Sequence, residues 1–165
     1  MNEKNNFYLN LGSNIEPEKN LQKTINLLAK YGIVQAISNA WESNSIGAIG
    51  PNFLNACILF TATQNATELK DNVISFIEES LGRHRTNDKN APRTIDIDIL
   101  MVNDEPLYTD RWDNPFVVLP LAELLPEFTH PSKHQTLSEV AKQMSSQTWI
   151  IKREDILNSS INRMD

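Results

Sequence analysis

Two aspartates one residue apart, Asp96 and Asp98, interrupt the apolar run Ile95-Asp96-Ile97-Asp98-Ile99-Leu100. In an extended strand, residues i and i+2 share a face, so both carboxylates point one way while Ile95, Ile97 and Ile99 anchor the opposite face in a core. Their Cα atoms lie roughly 6.5 Å apart at that spacing. Carboxylates so placed can share one or two Mg²⁺ ions, hard cations that take oxygen ligands and leave positions for water and phosphate. Taken alone, the pair also suits a solvated strand face whose charge discourages edge pairing.

The residues just upstream bear on that choice. Arg83, His84, Arg85, Lys89 and Arg93 stand against the single acid Asp88. A nucleoside triphosphate brings a charge of about -4, which two magnesium ions would cancel, leaving the two aspartates to be balanced by nearby arginines. Arginine offers planar, bidentate donors to phosphate oxygens, and Lys89 a mobile point charge. The chain has no G-x-x-x-x-G-K-[ST] phosphate loop and no kinase glycine loop, so metal and arginine would have to hold the phosphates.

The elements that must carry these groups follow from periodicity. Phe7, Leu9 and Leu11 alternate with polar neighbours as a strand does, and Gly12-Ser13-Asn14 reads as a turn. Pro17 opens a helix over about 17–30, on which Leu21, Ile25 and Leu28 share a face. Residues 33–43 and 53–63 read as strands joined by a loop at about 43–51. Asn65 and Glu68 form a capping-box pair, and Leu69, Val73, Phe76 and Ile77 give the inner face of a second helix ending near Gly82. Residues 83–93 are a loop, and 94–102 the strand with the carboxylates. The order strand, helix, strand, strand, helix, strand predicts a ferredoxin-like α+β sandwich, a mostly antiparallel sheet with both helices on one side. Beyond it, short helices are expected at 119–125 and 137–144, a strand at 148–152, and a fraying tail after Arg153.

A chain of 165 residues, 40% hydrophobic and 22% charged, fits one folded domain. Its net charge of -6 argues against a nucleic-acid partner, which selects for a basic face. No apolar run reaches the roughly 20 residues of a membrane span. The polar start, Met1 to Asn6, carries no export signal, so the cytoplasm is the expected compartment. Cys57, the single cysteine, and Trp41, Trp112 and Trp149 read as packing; His84, His130 and His134 lack metal-ligand spacing and read as loop surface. Nothing calls for an obligate protein partner.

The segment Lys89-Asn90-Ala91-Pro92-Arg93-Thr94-Ile95-Asp96-Ile97-Asp98-Ile99-Leu100 resembles the signature of the 6-hydroxymethyl-7,8-dihydropterin pyrophosphokinase family: basic, any, small, Pro, Arg, two residues, Asp, aliphatic, Asp, two aliphatics. The resemblance extends to Tyr8-Leu9-Asn10-Leu11-Gly12-Ser13-Asn14, Phe53-Leu54-Asn55-Ala56, Leu119-Pro120-Leu121 and His130-Pro131. It implies a ferredoxin-like fold and transfer of diphosphate from ATP to the hydroxymethyl group of the pterin. By position, Asp96 and Asp98 resemble the pair that holds two magnesium ions with ATP, and Arg83 and Arg93 the catalytic arginines. Glu78, Arg85, Lys89, Ile99 and Arg111 resemble nucleotide contacts, with Glu78 near the ribose. Phe53 and Phe116 resemble the aromatic faces that sandwich the pterin, Asn55 the amide that reads its edge, and Ser43, Asn44 and Ile46 backbone contacts.

Between Arg111 and Phe116 the chain has only Trp112-Asp113-Asn114-Pro115, where members of the family it resembles usually carry a longer stretch with a His-Pro or His-Tyr pair and, several residues later, an arginine. That departure keeps a second reading open, a pterin- or nucleotide-binding regulatory protein with reduced catalysis. A third, a ferredoxin-like RNA-binding module, is disfavoured by the net charge.

Overall fold

The fold is described by a computed structural model covering residues 3–45, 50–83 and 92–157. Its elements run β1 (Asn5–Ser13), α1 (Pro17–Leu28), β2 (Ile33–Ile37), β3 (Ala40–Ser43), β4 (Phe53–Ala62), α2 (Ala66–Glu68), a π-helical stretch (Leu69–Ile74), α3 (Ser75–Ser80), β5 (Asp96–Val102), β6 (Glu105–Pro106), a 3₁₀ turn (Thr109–Asp113), α4 (Pro115–Leu124), α5 (Leu137–Ser145) and β7 (Ile150–Arg153). The strands form one antiparallel sheet in the order β6-β5-β1-β4-β3-β7, with β2 also paired to β4. This is the ferredoxin-like α+β arrangement that the element order predicts.

Period-2 alternation divides the sheet cleanly. Phe7, Leu9 and Leu11 of β1, Leu54, Ala56, Ile58 and Phe60 of β4, and Ile97 and Ile99 of β5 pack under α1 and the α2–α3 helix. The opposite face carries a second core, in which Cys57, Leu100 and Met101 meet Trp112, Val117, Val118 and Leu121. Leu100 and Met101 both reach this side because β5 slips by one residue against β1 between Tyr8 and Leu9, and such a bulge re-aims side chains. Burial drives the Cys57 thiol well above its ordinary range, so it stays protonated and serves as packing.

Several elements differ from the sequence expectation. The strand over 33–43 is broken at Ser38 and Asn39: the Ser38 hydroxyl accepts the Cys57 N–H at 2.8 Å and Asn39 ties itself to Glu123 at 2.8 Å. The capping box of Asn65 and Glu68 is present, and Gly82 closes the helix at φ 81°, a left-handed value that glycine takes without steric cost. Between them the π stretch inserts about one extra residue into the turn, which puts Ile74 inside and turns Phe76 out, 51% exposed, edge-on to Tyr31 at 6.4 Å. The carboxylate strand starts at Asp96, two residues late, because the backbone N–H of Arg93 is held by the Asn14 side chain at 2.7 Å. Helix α4 starts at Pro115, four residues earlier than expected, with proline in the first turn where a missing N–H costs nothing.

Three further readings are corrected. Trp149 is 45% exposed rather than packed. His130 is buried, with Nε2 donating to the Trp112 carbonyl at 2.7 Å and Nδ1 accepting from Ser132 N at 3.1 Å; a ring used at both nitrogens fits a core, not a surface loop. The tail past Arg153 does not fray at once: Leu157 is buried in the first core, and Arg153 bonds Glu42 at 2.6 Å and forks onto Asp155. Among the described residues no helix is long and apolar enough to cross a membrane.

Candidate active site

Strand β5 lies next to the sheet edge, and this decides what its polar face can do. Asp96 and Asp98 share the face that carries Leu100 into the second core, but they lie beyond the apolar cover of α4. They open into a cavity of about 670 Å³ between α3, the 3₁₀ turn and the start of α4. Glu78, Arg83, Arg93, Ile99, Arg111 and Phe116 line the same cavity. The structure therefore brings together both predicted catalytic arginines, the carboxylate pair, and three of the predicted nucleotide contacts. Arg85, Lys89 and Ile46 lie outside the described residues.

Both carboxylates are met by guanidinium groups. Asp96 Oδ1 accepts from Arg83 at 2.9 Å, Asp96 Oδ2 from Arg93 at 3.1 Å, and Asp98 Oδ1 lies 2.8 Å from Arg111. Arg111 also stacks over the Tyr108 ring at 4.6 Å. Arg83 bonds Glu78 at 2.7 Å as well. Burial, and then the neighbouring Asp96 charge, push the Asp98 carboxyl up to about 6, against which Arg111 pulls downward. A carboxylate held so reluctantly ionised gains from any cation that comes to it.

The donor chemistry fits magnesium. Two half-buried carboxylates offer oxygen ligands only, and among the described residues no group of three or more acidic, histidine or cysteine side chains forms a closed metal cage. Magnesium is bound in this open way, by one or two carboxylates with water and substrate phosphate completing the shell.

The predicted ring-binding residues lie across the sheet from this pair. In register, Asp96 pairs with Gly12, Gly12 with Asn55, and Asn55 with Trp41, so Asp96, Gly12, Asn55 and Trp41 form one row on the same face. Two interstrand spacings put Asn55 about 10 Å from Asp96. Asn55 is buried, and its side chain makes no hydrogen bond with the described residues, so its amide is free to read a ligand. Phe53 is half-buried two residues away on the same face, paired with Ser43, and Asn44 follows exposed at the strand end. Phe116 stands apart from them, at the first turn of α4, where it lines the cavity with the carboxylates.

Three contributors were not singled out from sequence. A Cβ on Gly12 would sit 2.6 Å from Asn55 Oδ1, so the glycine is what leaves room for that amide. Asn14, read only as a turn residue, binds Arg93 N at 2.7 Å and Pro51 O at 3.3 Å, fixing the start of β5 to the loop before β4. Trp41 flanks Asn55 and is held by Glu123, which accepts from its indole N–H at 2.6 Å. The signal for Gly12 and Asn14 was their place in Gly12-Ser13-Asn14; nothing in the sequence paired Trp41 with Glu123. Gly12→Ala should displace Asn55 and weaken binding of a planar heterocycle about tenfold or more, the cost of one lost buried hydrogen-bonding group, with ATP affinity nearly unchanged. Calorimetric titration of both ligands checks this, and an equal loss of both would disconnect Gly12 from the ring pocket.

The chain resembles known proteins in sequence and in fold. Residues 8–126 match the family model described as 7,8-dihydro-6-hydroxymethylpterin-pyrophosphokinase. The chain is 32% identical over 145 residues to a 2-amino-4-hydroxy-6-hydroxymethyldihydropteridine pyrophosphokinase of Synechocystis, covering 81% of this chain and 73% of the relative. It is 33% identical over 142 residues to the protein of the same name in Aquifex aeolicus, covering 80% and 88%. Among solved structures, the wild-type HPPK-DHPS of Plasmodium falciparum with pteroate superposes with a TM-score of 0.64 at 15% identity, covering 89% of this chain and 43% of that longer one.

Proposed function

Because the chain belongs to the 7,8-dihydro-6-hydroxymethylpterin-pyrophosphokinase family, we propose that the β5 cavity and the Gly12–Asn55 row are the two halves of one diphosphate-transfer site. The protein is an ATP-dependent diphosphotransferase of folate biosynthesis. It passes diphosphate from ATP to the hydroxymethyl group of 6-hydroxymethyl-7,8-dihydropterin and releases AMP. The observation that carries the site assignment is the Asp96–Asp98 pair facing a cavity ringed by Arg83, Arg93 and Arg111.

In this reading Asp96 and Asp98 hold two magnesium ions with ATP. When bound, the metal neutralises phosphate charge and orients the chain of phosphates for in-line attack. The hydroxymethyl oxygen bonds to the β-phosphorus, the bond from that phosphorus to the oxygen bridging to the α-phosphate breaks, and AMP departs with that oxygen while the hydroxyl proton is lost to solvent. Arg83 and Arg93 leave Asp96 for the transferring group and stabilise the charge that builds on it. Arg111 does the same from the 3₁₀ turn, with Ile99 beside the nucleotide, and Arg85 and Lys89 add charge from the 84–91 segment. Phe53 and Phe116 clasp the pterin ring, Asn55 reads its edge, and Ser43, Asn44 and Ile46 supply backbone contacts. The partners are the two small molecules, without nucleic acid, membrane or obligate protein, and the compartment is the cytoplasm.

Purified protein given ATP, Mg²⁺ and hydroxymethyl-dihydropterin should form AMP and pterin diphosphate in equal amounts, and no AMP without the pterin. Tight pterin binding with no AMP would replace this reading with a regulatory binding protein.

A further inference from the structure

Glu78 is a charged side chain in the wall of the cavity, yet only 4% exposed. Its Oε2 accepts from Arg83 Nη1 at 2.7 Å and from the backbone N–H of Ile97 at 3.0 Å. The second bond has a topological reason. Strand β6 pairs with Met101 and Val102, so among the described residues the outer edge of β5 at Ile97 has no strand neighbour, and the Glu78 carboxylate takes its N–H instead. The first bond completes a relay, since the same Arg83 nitrogen reaches Asp96 Oδ1 at 2.9 Å. Arg83 is itself tethered close by, its backbone N–H donating to the Glu78 carbonyl at 3.0 Å.

From these contacts we infer that Glu78 is a positioning residue, a buried strut that aims Arg83 at the transferring phosphate and fixes the β5 backbone between the two metal-holding aspartates. This rests on the proposed diphosphate transfer and refines the place that family resemblance gives to Glu78 near the ribose. The physical need is specific. Once the carboxylate of Asp96 is engaged by a cation, its hold on Arg83 weakens, and a released arginine side chain gains rotamer freedom that must be removed again before it can act. Glu78, bonded from behind and shielded from water, keeps the guanidinium in place while Asp96 changes partner. A buried carboxylate is also tolerable only with such partners, which is why the pair is built as a unit.

Glu78→Gln tests the inference, because the amide oxygen still accepts from Ile97 N–H and the charge that holds Arg83 is the part removed. Steady-state kinetics should show kcat lower by about tenfold to a hundredfold with KM for ATP within about threefold of the parent, as expected of an interaction made in the transition state. In an Arg83→Ala background the same substitution should add less than about a twofold loss, since Glu78 acts through Arg83. A tenfold rise in KM for ATP at unchanged kcat would make Glu78 a nucleotide contact and overturn the inference, as would full multiplicative losses in the double variant. A readout independent of turnover separates this from the functional reading: with Mg²⁺ and a nonhydrolysable ATP bound, ¹⁵N spectra should show hindered rotation of the Arg83 guanidinium in the parent and free rotation in Glu78→Gln. Free rotation in both overturns the inference even if the parent is fully active; hindered rotation in the parent alone sustains it even if no AMP forms.

Discussion

Asp98→Asn should slow diphosphate transfer about a thousandfold or more and, in the same molecule, make the metal-free protein harder to unfold at neutral pH. The first effect follows from charge: the amide keeps the shape of the side chain but cannot hold a divalent ion, whose neutralisation of phosphate is worth several kcal/mol, and each loss of about 1.36 kcal/mol is tenfold in rate. The second follows from the raised pKa. In the folded chain the Asp98 carboxyl is pushed from 3.8 up to about 6 by burial and by Asp96, so between those values the native state binds more protons than the unfolded one. Stability therefore falls as pH rises through that window, and at pH 7 the whole penalty is present. Removing the charge returns up to about 3 kcal/mol, from roughly two pKa units at 1.36 kcal/mol each. Arg111 loses its ion-pair partner cheaply, because it stays partly hydrated and stacked on Tyr108 at 4.6 Å. Urea unfolding in chelator should show the gain at pH 7 and its disappearance near pH 4. A variant less stable than the parent at pH 7 would mean that the Arg111 pair outweighs burial.

Trp112→Ala should cost about 3–5 kcal/mol, the range for emptying a fully buried indole, and lower Tm by roughly 10 °C. The ring is buried against Phe128 at 6.0 Å and His130 at 6.0 Å, and its carbonyl accepts from His130 Nε2 at 2.7 Å. These contacts hold the short 3₁₀ turn that delivers Arg111 to Asp98, so KM for ATP should rise about tenfold even at temperatures where the variant is folded. Trp112→Phe is the matched control. The indole N–H is buried with no hydrogen-bond partner among the described residues, so phenylalanine gives up ring volume but relieves an unmade bond and should lose much less. Scanning calorimetry decides it: an alanine variant within about 2 °C of the parent would show that the turn is held by something else.

In the short stretch after Arg111, Trp112 and His130 form a compact pin, with the ring centroids 6.0 Å apart and His130 Nε2 on the Trp112 carbonyl at 2.7 Å. The sequence marked the shortening but not the pin, because Trp112 and His130 are far apart along the chain and each was assigned by type alone. Elsewhere, what was legible rested on local periodicity. The alternation of Ile95, Ile97 and Ile99 with Asp96 and Asp98 placed both carboxylates on one face, and the Asn65 and Glu68 pair with Gly82 bracketed the second helix. What was not legible depended on side chains standing in for backbone or on register. Ser38 replaces a ladder partner and splits a strand, the π stretch rotates Phe76 outward, and Leu157 is drawn under the sheet by a core it meets only in three dimensions. Gly12 makes the same point within the site, since its role is the absence of a side chain opposite Asn55.

Ion binding by the β5 aspartates decides whether this strand is the centre of diphosphate transfer. Mn²⁺ in place of Mg²⁺ allows bound ions to be counted by the loss of the free-ion paramagnetic resonance signal as a nonhydrolysable ATP is added. The parent chain should take up two Mn²⁺ per nucleotide bound, and the double variant Asp96→Asn with Asp98→Asn should take up neither. Equal uptake by both proteins would place the ions, and the chemistry, somewhere other than on this strand.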